Sequence, residues 1–253
     1  MRKVGVVGAT GRTGRYVVQA LAERSDAELC AAVVSPNSPS LGQHVEGSHV
    51  VYTSELESLA GADVVIEFSN PETSVRVAEW CAWRGVPVLA ASTGHSAEQL
   101  KTLQGLGAAI AIAIISNTSV GAAVLTALVG QAQQLLGPTF DVEVLDIHHR
   151  GKKDAPSGTA RTLVHSIASE SQVVFGRQEQ RQVGEVGVVS LRGGDVVGDH
   201  TVYFLGNGER IEIVHRVSTR AVFGQGAVDL AVRLCGLPRG VYSVDQLIAA
   251  VVK

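Results

Sequence analysis

A chain of 253 residues with a formal charge of −3 has too little positive excess to take nucleic acid as its main partner. Its length suits one large domain or two modest ones, and 28 glycines with only 4% aromatics fit tight strand–helix turns better than a base-stacking surface. The three cysteines, Cys30, Cys81 and Cys235, form no CxxC or metal-spaced pair, so neither a disulfide framework nor a metal site is expected, and they read as packing groups in a reducing cytoplasm.

The N-terminal half alternates short apolar runs with helical patterns. Residues 3–8, 29–34, 63–68, 87–90 and 109–115 read as strands, several apolar throughout, as strands buried on both faces of a parallel sheet are. Residues 14–23, 71–84 and 96–106 read as helices; Pro71 suits a first helical turn, and Ser96 with Gln99 resembles a capping box. The apolar part of the Met1-Arg2-Lys3 start is too short for a signal peptide. Residues 102–140 carry no charge, but their unbroken apolar run, 108–115, is far below the ~20 residues of a membrane span. A buried strand and a buried helix, with no membrane contact, are expected there.

After Ser119 the rhythm changes. A long apolar helix over 120–136 stops at Gly137-Pro138, and 141–148 alternates polar and apolar residues as a half-buried strand does. A helix over 157–170 follows, then strands over 187–192, 200–205 and 209–217, parted by turns at Gly193-Gly194-Asp195 and Gly206-Asn207-Gly208. Such turn-linked strands suggest an antiparallel or mixed sheet. Helices over 226–235 and 243–252 close the chain and are expected to return to the first domain. The fold class is therefore α/β: a Rossmann-like doubly wound parallel sheet plus a second α+β domain with a mixed sheet. The expected boundaries are 1–119 with 229–253 for the first domain, and 120–228 for the second, which binds substrate and builds the oligomer.

Gly8-Ala9-Thr10-Gly11-Arg12-Thr13-Gly14 follows the first strand and opens the first helix. Gly8 permits the tight turn, Gly11 lets backbone approach a pyrophosphate, and Gly14 allows close helix–strand packing. The spacing is G-x-x-G-x-x-G, which a Gly-rich turn in another α/β protein also fits. Beyond the second strand no acidic residue waits for the ribose hydroxyls of NAD: Val34 and Ser35 stand there. That absence removes a barrier to NADPH, no nearby cation adds attraction, and both NADPH and NADH are expected to serve. Ser92-Thr93-Gly94 and Ser116-Asn117-Thr118-Ser119 follow other parallel strands, where ligands of such sheets bind. They offer small donors for a nicotinamide carboxamide, or simply start helices.

The densest chemistry lies in His148-His149-Arg150-Gly151-Lys152-Lys153-Asp154-Ala155-Pro156-Ser157-Gly158-Thr159. Imidazoles exchange protons near neutral pH, whereas lysine and arginine are fixed charges. Ser157, Gly158 and Thr159 can present donors at a helix start that favours an anion. A small carboxylate-bearing substrate that needs a proton would suit the segment; a solvated basic loop before an ordinary helix cap is the plainer reading. Arg192, His200, His215 and Arg220 are scattered and are left outside the main site.

At these residues the chain resembles the 4-hydroxy-tetrahydrodipicolinate (dihydrodipicolinate) reductase family. Residues 146–160 resemble its signature E-x-H-H-x-x-K-x-D-A-P-S-G-T-A, Gly8 to Gly14 its G-A-x-G-R-M-G, and Ile66-Glu67-Phe68-Ser69 its I-D-F-[ST]. Asn117, Ser119-Val120-Gly121, Gly198-Asp199-His200-Thr201-Val202, Gly208-Glu209 and Phe223 extend the match over essentially the whole chain. The resemblance implies a nicotinamide cofactor, NADPH or NADH, on the first domain near Gly8 to Gly14, Ser35, Ser69, Ala91, Ser92, Thr93, Ser116, Asn117 and Thr118. It implies a cyclic imine dicarboxylate substrate, His148 as acid catalyst assisted by Lys152, and His149, Lys152, Ser157, Gly158 and Thr159 as the carboxylate clamp. It also implies a cytoplasmic homotetramer in lysine and diaminopimelate synthesis.

The departures are Asp146 for the usual Glu, Thr13 for Met, Ala91 for a glycine, and Thr118 for the Phe of N-F-S. The last two leave room for a paralogue that reduces another cyclic imine acid. A non-catalytic nucleotide-binding oligomer is the rival from another class.

Overall fold

The computed structural model describes residues 1–249. The chain divides into two compact units, Met1–Ser119 with the chain from Arg220 onward, and Val120–Thr219. In chain order the first segment contains β1 (Arg2–Val7), α1 (Gly14–Ala22), β2 (Ala27–Val33), β3 (Tyr52–Thr53), β4 (Val64–Glu67), α2 (Pro71–Arg84), β5 (Val88–Ala90), α3 (Ala97–Gly105) and β6 (Ala111–Ile114). The second unit contains α4 (Val120–Leu136), β7 (Asp141–His148), α5 (Gly158–His165), β8 (Val173–Phe175), β9 (Val186–Arg192), β10 (Gly198–Leu205) and β11 (Arg210–Val217). Then α6 (Ala221–Leu234), β12 (Gly240–Tyr242) and α7 (Val244–Ala249) rejoin the first.

The first unit is a seven-stranded sheet in the order β12-β6-β5-β4-β1-β2-β3, every neighbouring pair parallel. Successive side chains of a strand face opposite sides, and the core divides accordingly. Val4, Val6, Val64, Ile66 and Leu89 pack with Val17 and Leu21 of α1 and with Val228, Leu230 and Leu234 of α6. Val7, Val65, Val88 and Ile112 pack with Val77 and Cys81 of α2 and Leu103 of α3 on the other side. Both faces are therefore sealed, and strand order reverses between β1 and β4, where the strands' C-terminal ends form the binding crevice of such sheets.

The second unit is a five-stranded sheet, β11-β10-β7-β9-β8. β10 runs antiparallel to both β7 and β11, while β7, β9 and β8 run parallel, so the sheet is mixed. The turn at 193–195 is not a hairpin, because β7 lies between β9 and β10. Val142 and Val144 give β7 a buried face, and with Val186, Val188, Val202 and Phe204 they form the core against Leu125 and Val129 of α4 and Leu163 of α5.

Three expectations are corrected. The last crossing back to the first unit comes at Arg220, not 229, because Gly226 lies buried inside α6 rather than opening it. Its neighbour Gly224 lets the helix press on α1: a Cβ there would stand 2.4 Å from Tyr16 backbone. The helix expected over 157–170 ends at His165, where the Ser166 hydroxyl donates to the Leu163 carbonyl at 2.6 Å and competes with helix continuation. The helix over 120–136 is only half buried: its apolar stretch of 20 residues, mean hydropathy 1.3, passes for a membrane segment by length and composition. Leu125 and Val129 are buried in the core, while Val124, Leu128 and Leu135 are exposed. The final helix is described as Val244–Ala249, with Ser243 just before it; residues 250–252 of the expected helix lie outside the described residues.

Candidate active site

In the first unit the glycine turn lies at the crevice between β1 and β4. Gly8 takes φ +78°, and a Cβ there would stand 2.1 Å from the Phe68 carbonyl oxygen. The Gly11 N–H donates to the Gly8 carbonyl at 2.9 Å, and a Cβ on Gly14 would stand 2.0 Å from that same oxygen. Only bare backbone fits at Gly8 and Gly14, and the turn leads straight into the first turn of α1, the geometry that accepts a pyrophosphate. Ala9 is buried, while Thr10 and Arg12 are exposed around the turn. The donor set and the bare cradle fit a nicotinamide dinucleotide. Ser35, exposed beyond β2, accepts a hydrogen bond from the Asn37 N–H at 3.3 Å.

The loops after β4 and β5 are tied together by a residue that the sequence did not single out as functional. Glu67 is fully buried; its Oε1 accepts from the Ser69 N–H at 2.5 Å, from the Ser69 hydroxyl and from the Ser92 hydroxyl at 2.7 Å. The Ser69 N–H also reaches Ser92 Oγ at 2.9 Å. The hydroxyls of Ser69 and Ser92 are therefore held by the protein, which leaves exposed Thr93 and the backbone to meet a ligand. Hydrogen bonds to a charged acceptor are worth more than those to a neutral one. Glu67→Gln is accordingly expected to raise the KM for the nucleotide about tenfold with little change in kcat; initial rates against nucleotide concentration check it.

Thr118 is 1% exposed, and its hydroxyl donates to the Phe223 carbonyl at 2.7 Å. Ala91 is also buried. Both departures from the family pattern are therefore buried side chains. Ser116 is exposed, and Asn117 Oδ1 accepts from the Ser119 N–H at 2.9 Å.

In the second unit, sheet register assembles the chemistry. Asp146 on β7 is paired with His200 on β10 and with Ser190 on β9, and His200 is paired with His215 on β11. Two residues on, His148 shares the Asp146 face. Asp146 is fully buried, with Oδ1 2.9 Å from His148 Nδ1 and 3.4 Å from His200 Nε2. Neither Asp146 Oδ1 nor His148 Nδ1 completes a directed hydrogen bond, so the contact acts chiefly through charge. Oδ2 accepts from the Ser157 N–H at 3.0 Å, from the Ser190 hydroxyl at 3.1 Å and from the Arg192 guanidinium at 2.9 Å. Burial pushes the Asp146 carboxyl up, but the imidazoles, the Ser157 amide and Arg192 outweigh it and hold it well below the usual carboxylate range.

A carboxyl with a folded pKa below its unfolded value, near ~3.9, stabilises the fold above that value and loses the contribution as pH falls toward the folded one. The melting temperature is therefore expected to drop more steeply between about pH 4 and pH 2 in the wild type than in Asp146→Asn, which scanning calorimetry across that range checks.

The predicted carboxylate clamp is also in the second unit. Ser157 caps α5, its hydroxyl accepting from the Ala160 N–H at 3.2 Å and lying 3.1 Å from His200 Nε2. Because its amide is held by Asp146, Ser157 shapes the helix start, and exposed Gly158 with Thr159 offers the next amides. Lys152 Nζ lies 3.0 Å from Asp154 Oδ1, a carboxylate that an incoming anion can replace. The Lys152 N–H donates to the His149 carbonyl at 3.0 Å, and Arg192 bonds the Asp154 carbonyl at 2.7 Å, fixing the loop between them.

His200 and Arg192, set aside as scattered, are thus parts of the site, as are Asp146 and Ser190. The readable signal was Asp146 two places before His148 on one strand; the cross-strand partners depend on register. Asp146, His148 and His200 bring ligand-type atoms within 4.8 Å of one another. The Arg192 guanidinium on the same carboxylate already balances it, and the cluster reads as a proton-holding site.

Comparison with known proteins shows the family. The family model "Dihydrodipicolinate reductase, N-terminus" matches residues 2–118, and "Dihydrodipicolinate reductase, C-terminus" matches 121–248. A 4-hydroxy-tetrahydrodipicolinate reductase of an Anaeromyxobacter species is 39% identical over 98% of both chains, and that of Myxococcus xanthus is 38% identical over 98% of both. Among solved structures, the dipicolinate-bound dihydrodipicolinate reductase of Paenisporosarcina superposes with a TM-score of 0.78 over 96% of this chain and 97% of its own, at 22% identity, which bears on the fold. An amine dehydrogenase of Mycobacterium smegmatis gives 0.62 at 13% identity over 97% and 95%, likewise a likeness of fold. With both halves matched end to end, the chain belongs to the dihydrodipicolinate reductase family.

Proposed function

We propose that this protein reduces the cyclic imine dicarboxylate 4-hydroxy-tetrahydrodipicolinate to tetrahydrodipicolinate, for lysine and diaminopimelate synthesis, with NADH or NADPH. The observation that carries this reading is the buried Asp146–His148–His200 cluster beside the donor-bearing start of α5, in a chain whose other unit has a bare-backbone nucleotide turn. Gly8 to Gly14, Ser116 and Asn117 hold the dinucleotide, and bound nucleotide supplies the hydride.

Lys152 and the Gly158 and Thr159 amides take the substrate carboxylates, with His149 beside them. A carboxylate about 4 Å from Lys152 gains on the order of 4 kcal/mol at an effective dielectric of 20, before desolvation, and the helix start adds ~0.3–1 kcal/mol. Loss of the 4-hydroxyl as water gives a conjugated C=C–C=N system, hydride addition to it leaves an enamine-type anion, and His148 donates the proton that this anion needs. Glycine at position 198 keeps space before that imidazole, for a Cβ there would stand 3.0 Å from His148 Nε2. No acid follows β2 to repel a 2′-phosphate, so both nucleotides serve, with NADPH favoured.

The same reading makes the protein a cytoplasmic homotetramer. Leu145, Val189, Leu191 and Val214 lie on the sheet face turned away from α4 and α5, the last three exposed, an apolar surface of the kind that oligomers cover. The cysteines are unlinked, and burial pushes the Cys30 thiol up to about 11, as suits a reducing compartment. The test supplies purified protein with fresh product of the synthase that makes the imine, and follows NADH and NADPH absorbance. Absence of oxidation with either nucleotide would overturn the assignment; sedimentation of the same sample tests the tetramer.

A further inference from the structure

We propose that Asp146 is the positioning residue of this site, a single carboxylate that aligns the His148 acid with one oxygen and the carboxylate-binding start of α5 with the other. The proposal rests on the functional reading above only in taking His148 as the acid. Oδ1 faces both imidazoles, 2.9 Å from His148 Nδ1 and 3.4 Å from His200 Nε2. Oδ2 holds the Ser157 amide, 3.0 Å away, and so sets the direction of the first turn of α5. The two halves of the chemistry, proton delivery and anion binding, therefore share one anchor.

The groups around that anchor come from every neighbouring element. Arg192 on β9 balances the charge at 2.9 Å, and Ser190 on β9 adds a hydroxyl. On β10, His200 meets His148 edge to face with ring centroids 5.3 Å apart, and beyond it lies its register partner His215 on β11. The charge of a carboxylate 2.9 Å from Nδ1 favours the neutral ring's proton on that nitrogen. Nε2 is then the exchanging atom, and it lies on the side where Gly198 has no side chain. His200 joins the two halves once more, its Nε2 lying 3.1 Å from the Ser157 hydroxyl.

The test uses full-length wild type, Asp146→Asn and Asp146→Glu. With nucleotide and the cyclic imine, Asp146→Asn is expected to lower kcat about 100-fold and raise the imine KM several-fold, as loss of an orienting partner does, leaving the nucleotide KM unchanged. Asp146→Glu keeps the charge and is expected to recover most of kcat. Nitrogen NMR of ligand-free protein, at a pH high enough that the ring is neutral, is expected to show the His148 proton on Nδ1 in the wild type, and a mixture in Asp146→Asn. A neutral wild-type ring with its proton on Nε2 would overturn the proposal, as would an Asn variant within about threefold of wild type or a Glu variant no better than Asn. The wild-type spectrum needs neither turnover nor a folded variant. A wild type inactive on the imine but protonated on Nδ1 would refute the functional reading and leave Asp146 its role.

Discussion

Replacing His148 with Gln is expected to lower kcat on the cyclic imine by about 100-fold to 10,000-fold, the range over which a positioned general acid contributes. The residue is 7% exposed, and its side chain is held against Asp146. Gln keeps most of the volume and hydrogen-bonding capacity but cannot release a proton near neutral pH. The nucleotide affinity should not move, since every residue of the bare-backbone turn lies in the other unit. Stopped-flow reduction of the imine beside fluorescence titration of NADPH separates the two quantities. This variant also distinguishes the enzyme from a nucleotide-binding oligomer without turnover, for which His148→Gln changes nothing. The other rival, a paralogue with an altered pocket, loses its basis because Thr118 and Ala91 are buried.

Gly14→Ala is expected to have the second large effect, and in the opposite half of the chemistry. The added methyl would stand 2.0 Å from the Gly8 carbonyl oxygen and 2.8 Å from its carbon. Both are backbone atoms, so no side-chain rotation can relieve the clash, and the glycine turn must open. Overpacking of this kind costs about 1–3 kcal/mol, which in a protein of this size is a melting temperature lower by roughly 2–12 °C. Because the atoms that move are the ones that receive the pyrophosphate, the nucleotide dissociation constant is expected to rise more than about tenfold. Gly11→Ala is the control: its methyl would lie 3.0 Å from the same oxygen, a tight contact that small shifts relieve. Nucleotide titration and thermal melts of the two variants check the contrast, and equal binding by wild type and Gly14→Ala would sink the assignment of this turn.

Much of the fold was legible because local signals agreed with one another. α2 falls on its expected residues: Asn70 accepts from the Thr73 N–H, Pro71 opens the helix, and Gly85 ends it with φ +72°. α3 has the capping box of Ser96 and Gln99 in full. β7 was visible as an alternation because one face meets the core and the other does not. β3, β8 and β12 were not anticipated, since runs of two or three residues carry no period of their own. They exist because neighbouring strands offer them a ladder.

The active site divided along the same line. The glycine turn and residues 148–159 were readable as contiguous segments, and the family resemblance gave them roles. Glu67, His200 and Arg192 carry no local mark of function. Glu67 gains its meaning from Ser69 and Ser92 at the ends of two strands. His200 gains its meaning from a register that sets it opposite Asp146, and pairing register is settled only when the whole sheet packs.

The late return of the chain to the first unit has a consequence for biosynthesis. α6 supplies Ala227, Val228, Leu230, Ala231 and Leu234 to one side of the parallel sheet, and it is made after the whole second unit. A growing chain that has passed Thr219 has every residue of the mixed-sheet unit in hand, yet one face of the older, N-terminal sheet still lacks α6. The usual order of maturation, N-terminal domain first, is therefore reversed: the inserted unit is the first that can finish. The nucleotide-binding half stays open to chaperones and proteases until α6 has been made.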